Sequence, residues 1–230
     1  MNQPNKPDLF EMGIFTVPEV AALVGAPQAA VRVWVGGHTG KQKPVIDNQL
    51  GRVGGKVAVS FTNLMELRFV AFFAGHGVGL RDIRNIMDEA KEILERPHPF
   101  ATNAVFKTDG KKIVAEIARK NGLEGIYDLR SRNYEMRVVV MASFKDDVVF
   151  DPKGDAVSWR PRPKIAPNVI VHPRVSFGRP VLKTSHIPTL ALAKSVKIEG
   201  SVQFVAEIFD VPEKQVREAV CFEKNLRQAA

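Results

Sequence analysis

The sequence predicts a mainly α chain with small β elements, an α+β fold, and three observations carry that reading. Apolar residues recur at three- and four-residue spacing along several segments, the pattern of helices with one buried face. Short Val- and Ile-rich runs bounded by Gly and Pro stand between them, as strands do. Two pairs of short helices, one near each end, are joined by tight turns.

The first pair spans Thr16 to Val35. Thr16 and Glu19 stand three apart and predict a capping box, in which each satisfies the other's backbone donor. Val20, Leu23 and Val24 supply the buried side of the helix that follows. Gly25-Ala26-Pro27 turns the chain. In the second helix Val31 and Trp34 face inward, which turns Gln28 and Arg32 outward. Two such helices are the smallest device that lays a rigid helix in the major groove of DNA.

Gly36 to Val59, rich in Gly and Lys, predicts a hairpin or wing. Phe61 to Ala74 is apolar on most sides and predicts a buried helix. Leu80, Ile83, Ile86, Met87, Ala90, Ile93 and Leu94 form one apolar stripe. Pro97-His98-Pro99 stops that helix. Beyond it come a short amphipathic helix near Lys111 to Lys120 and β-rich runs at Met136 to Phe144 and Val148 to Phe150. Asp151 to Asn168 carries four prolines and reads as an extended linker. A strand-like run at Asn168 to Val171 and a Gly178-Arg179-Pro180 turn follow. Helices near Thr189 to Val196, Ser201 to Phe209 and Pro212 to Arg227 close the chain, the last two joined by Asp210-Val211-Pro212.

The expected division is a tail at 1–13, a winged helix-turn-helix at 14–96 and a mixed α/β middle section at 97–151. A Pro-rich linker at 152–168 and a helical domain at 169–230 complete it.

With 230 residues, 45% of them hydrophobic, the chain can bury a sizeable core. No run of about 18 apolar residues offers a membrane helix, and the N-terminal residues lack the pattern of a secretory signal. Cys221 is the lone cysteine, so no intramolecular disulfide forms, which fits a reducing, cytoplasmic setting. It sits on the apolar side of the last helix and reads as a packing residue.

The net charge is +8, with a pI near 9.7. From Val20 to Met65 the only acid is Asp47, against Arg32, Lys41, Lys43, Arg52 and Lys56. From Ala156 to Ile198 there is no acid, against eight cations. Such clustering favours a polyanionic or acidic partner.

These patterns select candidate residues. Gln28 and Arg32 are the expected readers of base edges or phosphates, with Thr16 at the start of the first helix. Lys41, Lys43, Arg52 and Lys56 are the expected phosphate contacts. Arg160, Arg162 and Lys164, in Trp159-Arg160-Pro161-Arg162-Pro163-Lys164, form a second phosphate-binding stretch or a docking face for an acidic partner. Arg174, Arg179, Lys183, His186, Lys214 and Arg217 are the expected partner-binding residues. Glu213, Lys214, Arg217 and Glu218 on the final helix are of mixed sign and point to a protein surface rather than DNA.

No enzymatic constellation stands out. The five histidines are scattered and no cysteine pair exists, so neither a metal site nor a cofactor is expected. Asp109, Asp128, Asp146, Asp147 and Asp151 are the remaining candidates for a metal-dependent nuclease, although Asp is common in turns.

Residues up to about 95 resemble the winged helix-turn-helix regulators of the MerR group. The matching positions are Thr16 and Glu19, Ala22, Gly25, Val31, Arg32, Trp34, Leu67, Gly77-Val78-Gly79-Leu80 and Ile83-Arg84. The resemblance implies that Arg32 and its outward neighbours meet DNA and that wing residues meet phosphates. Two departures are evident: Val35-Gly36-Gly37 stands where basic residues often follow the Trp, and the long dimerising coiled-coil helix is missing.

Residues from about Ile165 to Phe222 resemble VapB-like antitoxin domains that are encoded beside PIN-like toxins. The matches include Val171, Pro173, Val175, Gly178-Arg179-Pro180, Ile187-Pro188-Thr189, Gly200-Ser201, Ala206, Val216, Ala219 and Phe222. His186 replaces an Arg typical of those domains. Together the resemblances imply a DNA-binding antitoxin and transcriptional regulator that binds double-stranded operator DNA as a homodimer and holds a PIN-like toxin. The alternative is an adaptor that captures an acidic partner with little affinity for DNA.

Overall fold

The computed structural model describes residues 9–37, 43–106 and 146–229. His38, Lys41, Asp109, Asp128, the expected helix at 111–120 and the expected strands at 136–144 lie outside the described residues. In chain order the elements are α1 (Leu9–Met12), β1 (Phe15–Thr16), α2 (Val17–Val24), α3 (Gln28–Gly36), β2 (Arg52–Val53), β3 (Lys56–Val59), α4 (Phe61–Gly75) and α5 (Leu80–Leu94). Then come β4 (Val148–Phe150), β5 (Ala156–Trp159), β6 (Val169–Ile170), β7 (Val181–Leu182), α6 (Thr189–Glu199), α7 (Val202–Phe209) and α8 (Glu213–Ala229). The fold is mainly α with small sheets, as the sequence predicts.

These elements form two compact units. Residues 1–25, 50–61 and 158–230 make one; residues 26–49 and 62–157 make the other. The division falls at Gly25, so α2 and α3 are apportioned to different units.

In the first unit β3 pairs with both β1 and β2, with Phe15 opposite Val59 and Val53 opposite Lys56. The β2–β3 hairpin turns on Gly54 and Gly55, whose φ values of 56° and 77° suit a two-residue turn in which both central residues are left-handed. A hairpin is thus present in the later part of the 36–59 segment. Thr16 ends β1 and caps α2: its amide donates to Glu19 Oε2 at 2.7 Å, and its hydroxyl accepts the Glu19 amide at 3.5 Å. The capping box is therefore present. Val20 and Leu23 are buried as expected, and α2 packs on β1, β3 and α8. α8 also packs on α6 and α7, over a core that includes Leu192, Val205, Val216, Ala219 and Phe222.

Phe15 is held by a strained turn. Ser176, Phe177 and Gly178 all have positive φ, and the Phe177 carbonyl accepts the Ile14 amide at 2.9 Å. A Cβ on Gly178 would lie 2.5 Å from Phe15 Cζ, so only glycine fits there.

Three expectations for the chain beyond residue 150 are corrected. The Pro-rich stretch is not a plain linker: Ala156–Trp159 form a strand, and Trp159 is 4% exposed, with reciprocal backbone bonds to Val171 at 2.9 and 2.8 Å. Its prolines fall outside the strand, where no ladder donor is needed, so apolar burial decides the conformation. Glu218 does not face outward; it is 7% exposed and accepts from the Asn168 amide and Nδ2, each at 3.1 Å. Cys221 is exposed rather than packed.

The second unit is built around α4, buried along most of its length. Phe69 and Phe73 meet Phe100 with centroids 4.6 and 6.5 Å apart. Ile83, Ile86, Met87 and Ala90 of α5 are buried, whereas Ile93 is 46% exposed. The last turn of the expected stripe is thus only partly covered.

Arg162 binds distant parts of the first unit together. Its Nη1 donates to the carbonyls of Leu23 and Pro161, both at 2.9 Å, and its Nη2 to that of Ala22 at 3.0 Å. Its Nε donates to Asn225 Oδ1 on α8 at 2.8 Å. A lysine keeps the charge but cannot reproduce the planar fork. Arg162→Lys is expected to lower the unfolding free energy by about 2 kcal/mol or more, since charge-assisted bonds are lost in a half-buried site. A urea midpoint equal to that of the unaltered chain would refute the clamp.

Candidate nucleic-acid and partner surfaces

In the second unit α3 starts at Pro27, which serves as its N-cap in an extended conformation. Val31, Trp34 and Val35 are buried; Arg32 is exposed and Gln28, one turn earlier, is half-buried. Val45 is held against α3, because the Trp34 carbonyl accepts its amide at 2.8 Å. Arg84 of α5 fixes the same segment by donating from Nε to the Lys43 carbonyl at 3.0 Å.

Asn63 fixes the next residues. It is fully buried, its Oδ1 accepts the Gln49 amide at 2.9 Å, and its Nδ2 donates to the Asp47 carbonyl at 2.9 Å and to Glu66 Oε2 at 3.1 Å. Glu66 is also buried and meets His98 Nδ1 at 3.1 Å.

Asp47, the only acid between Val20 and Met65, is ion-paired to Lys91 at 2.6 Å. Burial alone would lower the Lys91 ammonium. The Asp47 hydrogen bond and the charges of Asp47, Asp88 and Glu66 outweigh burial and hold it above the ordinary lysine range. Arg32 and Lys43 are exposed and have no ion-pair partner among the described residues.

In the first unit Thr16 is committed to the cap of α2. Arg52 is exposed and donates to the Gly55 carbonyl at 2.8 Å, bracing the hairpin turn. Lys56 is exposed. The expected DNA set is therefore divided: Gln28, Arg32 and Lys43 belong to one unit, and Thr16, Arg52 and Lys56 to the other.

In the 160–164 stretch, Lys164 is exposed and Arg160 half-buried. Arg162 was expected at a phosphate, but its donors are turned to the protein's own carbonyls, and burial lowers its pKa. Nothing in the local sequence marks that difference from its neighbours.

Among the expected partner-binding residues, Arg174 pairs with Glu11 at 3.2 Å and Arg217 with Glu213 at 2.6 Å, both on the surface. Arg179, Lys183, His186 and Lys214 are exposed, and His186 has a φ of 58°. Sequence reasoning overlooked a further group. Lys194 and Lys197 of α6 meet Lys224 and Arg227 of α8 around a concavity of about 310 Å³. Only the α6–α8 packing brings the two pairs together.

For the nuclease alternative, Asp146 is exposed, Asp147 is half-buried and Asp151 builds the β4–β5 turn. Arg68, in the α4 core, is lowered by burial to about 9, with Asp147 opposing the shift. Among the described residues no group of three or more His, Cys, Asp or Glu side chains could hold a metal ion. Among them also, no helix is long and apolar enough to cross a membrane.

The class defined by these elements is a mainly α fold with a capped helix, a short β-hairpin and a closing three-helix group. No family model matches the chain. It is 22% identical over 237 residues to a Mycobacterium tuberculosis protein named "Putative antitoxin VapB45", covering 92% of this chain and 94% of that one. The crystal structure of Rv2018 from Mycobacterium tuberculosis has the same fold, with a TM-score of 0.71 at 20% identity, covering 90% of this chain and 96% of that one.

His172 supplies a pH test of the first unit. Its Nδ1 accepts the Arg174 amide at 3.2 Å, and burial, aided by Arg174 and His186, holds the imidazole below its ordinary value. A depressed folded pKa means that the contribution is present above the unfolded value of about 6.5 and is lost as pH falls through the folded one. Urea unfolding is expected to show declining stability on acidification from neutral pH, with a shallower decline in His172→Gln. Identical pH profiles would sink this assignment.

The buried Asn63 gives a second test. Asn63→Ala is expected to destabilise the chain by about 1–3 kcal/mol, because it leaves buried groups unsatisfied. An unchanged thermal midpoint would show that the loop after α3 is held by other contacts.

Proposed function

We propose that this protein is an antitoxin-type regulator that binds operator DNA as a homodimer and holds a toxin of the PIN-like kind. In this reading residues 14–96 read DNA, residues 169–230 hold the partner, and the protein acts in the cytoplasm without a cofactor. The observation that carries the reading is the outward face of α3. It presents Arg32 and Gln28 one turn apart, while the segment's single acid is tied to Lys91. Arg52 and Lys56 on the wing are suited to phosphate, since positioning contacts need only a cation at the duplex edge. A homodimer supplies the second half-site that one short recognition helix lacks. The likeness along nearly the whole chain to a protein named as an antitoxin supports the partner-holding part.

The test is gel retardation with duplex from the chain's own promoter region. Arg32→Ala is expected to weaken specific binding by about 1–3 kcal/mol, and Lys56→Ala to reduce the salt slope by about one unit without changing sequence preference. Unchanged affinity and selectivity in both Arg32→Ala and Gln28→Ala would remove α3 as the reader.

A further inference from the structure

Two concavities adjoin the last turns of α8 and share Arg227. The first is an apolar cavity of about 240 Å³ whose walls include Phe15, Pro18, Leu23, Pro180 and Leu226. Its charged lining residues are Glu19, Arg179 and Arg227. The second is the basic concavity formed by Lys194, Lys197, Lys224 and Arg227, with Glu223 its one acid.

Both acids are turned to internal donors. Glu19 Oε2 accepts from Thr16 in the cap of α2, and Glu223 Oε1 accepts the Thr189 hydroxyl at 2.5 Å. Among the described residues, none of the five cations has an ion-pair partner. An apolar cavity thus lies beside a surface where five cations outnumber two carboxylates, all within one unit.

The chemistry of an occupant follows from both halves. A cavity of this size lies below the range of about 300–1,000 Å³ typical of small-molecule sites, so it suits one or two side chains. Duplex DNA would meet the cations but offers no apolar anchor for the cavity. We propose that this face docks an acidic protein segment, which seats an apolar side chain between α2 and α8 and sets its carboxylates against Lys194, Lys197, Lys224 and Arg227. The inference rests on the reading that this part of the chain holds a protein partner, and it names the surface and the partner's chemistry.

The test uses the full chain and a short fluorescein-labelled peptide of Glu with one central Phe, followed by fluorescence polarisation. Binding is expected to weaken by about tenfold when Ala replaces the peptide's Phe, when Gln replaces its Glu residues, and in the Lys194→Glu/Lys224→Glu variant. Both substitutions are at exposed positions, and unchanged circular dichroism melting of the variant excludes misfolding. Equal binding of the Ala-substituted peptide would overturn the anchor. Displacement of the peptide by random-sequence duplex, with duplex binding lost in the double variant, would make this a nucleic-acid surface and overturn the proposal. If the double variant loses the peptide yet still retains a toxin-like product of the adjacent reading frame, this surface is wrong and the partner-holding reading stands. If the unaltered chain retains no toxin at all, that broader reading fails by itself.

Discussion

The first unit depends on Arg162. The last carbonyls of a helix have no partner within it, and the end of α2 lies in a setting where water supplies few. The Arg162 guanidinium meets the carbonyls of Ala22 and Leu23 from 140 and 139 positions away in sequence, and reaches Asn225 another 63 positions on. One side chain thus fixes the end of α2, the segment after β5 and the last turns of α8. Burial disfavours the charge, as the lowered pKa records. The fourfold hydrogen bonding compensates, because a guanidinium presents its donors in a rigid plane. The apolar cavity lined by Leu23 and Leu226 follows from that spacing, since the same contacts set how closely α2 and α8 approach.

The second unit solves a related problem with neutral and acidic groups. Residues 43–49 have no regular structure of their own, yet they hold Lys43 at a defined place. Their backbone is taken up by Trp34, by Arg84 and by the buried amide of Asn63. Asn63 in turn is oriented by Glu66. The Asp47–Lys91 pair has little weight as a surface ion pair, but it places the segment's acid on a cation instead of leaving it beside Arg32 and Lys43. Position and charge are therefore set by one loop.

What was legible in the sequence was local. The capping box at Thr16 and Glu19, a hairpin within the Gly- and Lys-rich 36–59 segment, the inward Trp34 and the buried faces of α4 and α5 all follow from neighbours within a few residues, where propensity and period act. What was hidden depends on partners far along the chain. Arg162 looked like Arg160 and Lys164, because nothing nearby announces the carbonyls it meets. Glu218 looked like an outward helix residue, since Asn168 lies 50 positions upstream. The strand at Ala156–Trp159 was masked by prolines that surround it without entering it. Cys221 and Ile93 failed in the other direction: an apolar stripe shows which face a helix would bury, not how far another element extends to cover it.

The same distinction changes the meaning of charge at the C-terminal end. By count, α8 is mixed in sign, and a mixed helix argues against DNA and for a protein surface. In the folded chain its acids have separate fates. Glu213 pairs with Arg217, Glu218 is buried against Asn168, and Glu223 accepts from Thr189. Lys214, Lys224 and Arg227 have no such partners among the described residues, and α6 adds Lys194 and Lys197 on the side that faces α8. Glu199, Glu207 and Asp210 stand instead at the end of α6 and on α7 and its cap. The helix carries three carboxylates against four cations, and hydrogen bonding fixes where the carboxylates sit without removing their charge, while the lysines keep their heads in water. A surface field belongs to the fold, and here the packing of α6 on α8 adds Lys194 and Lys197 to the small positive excess of the helix itself.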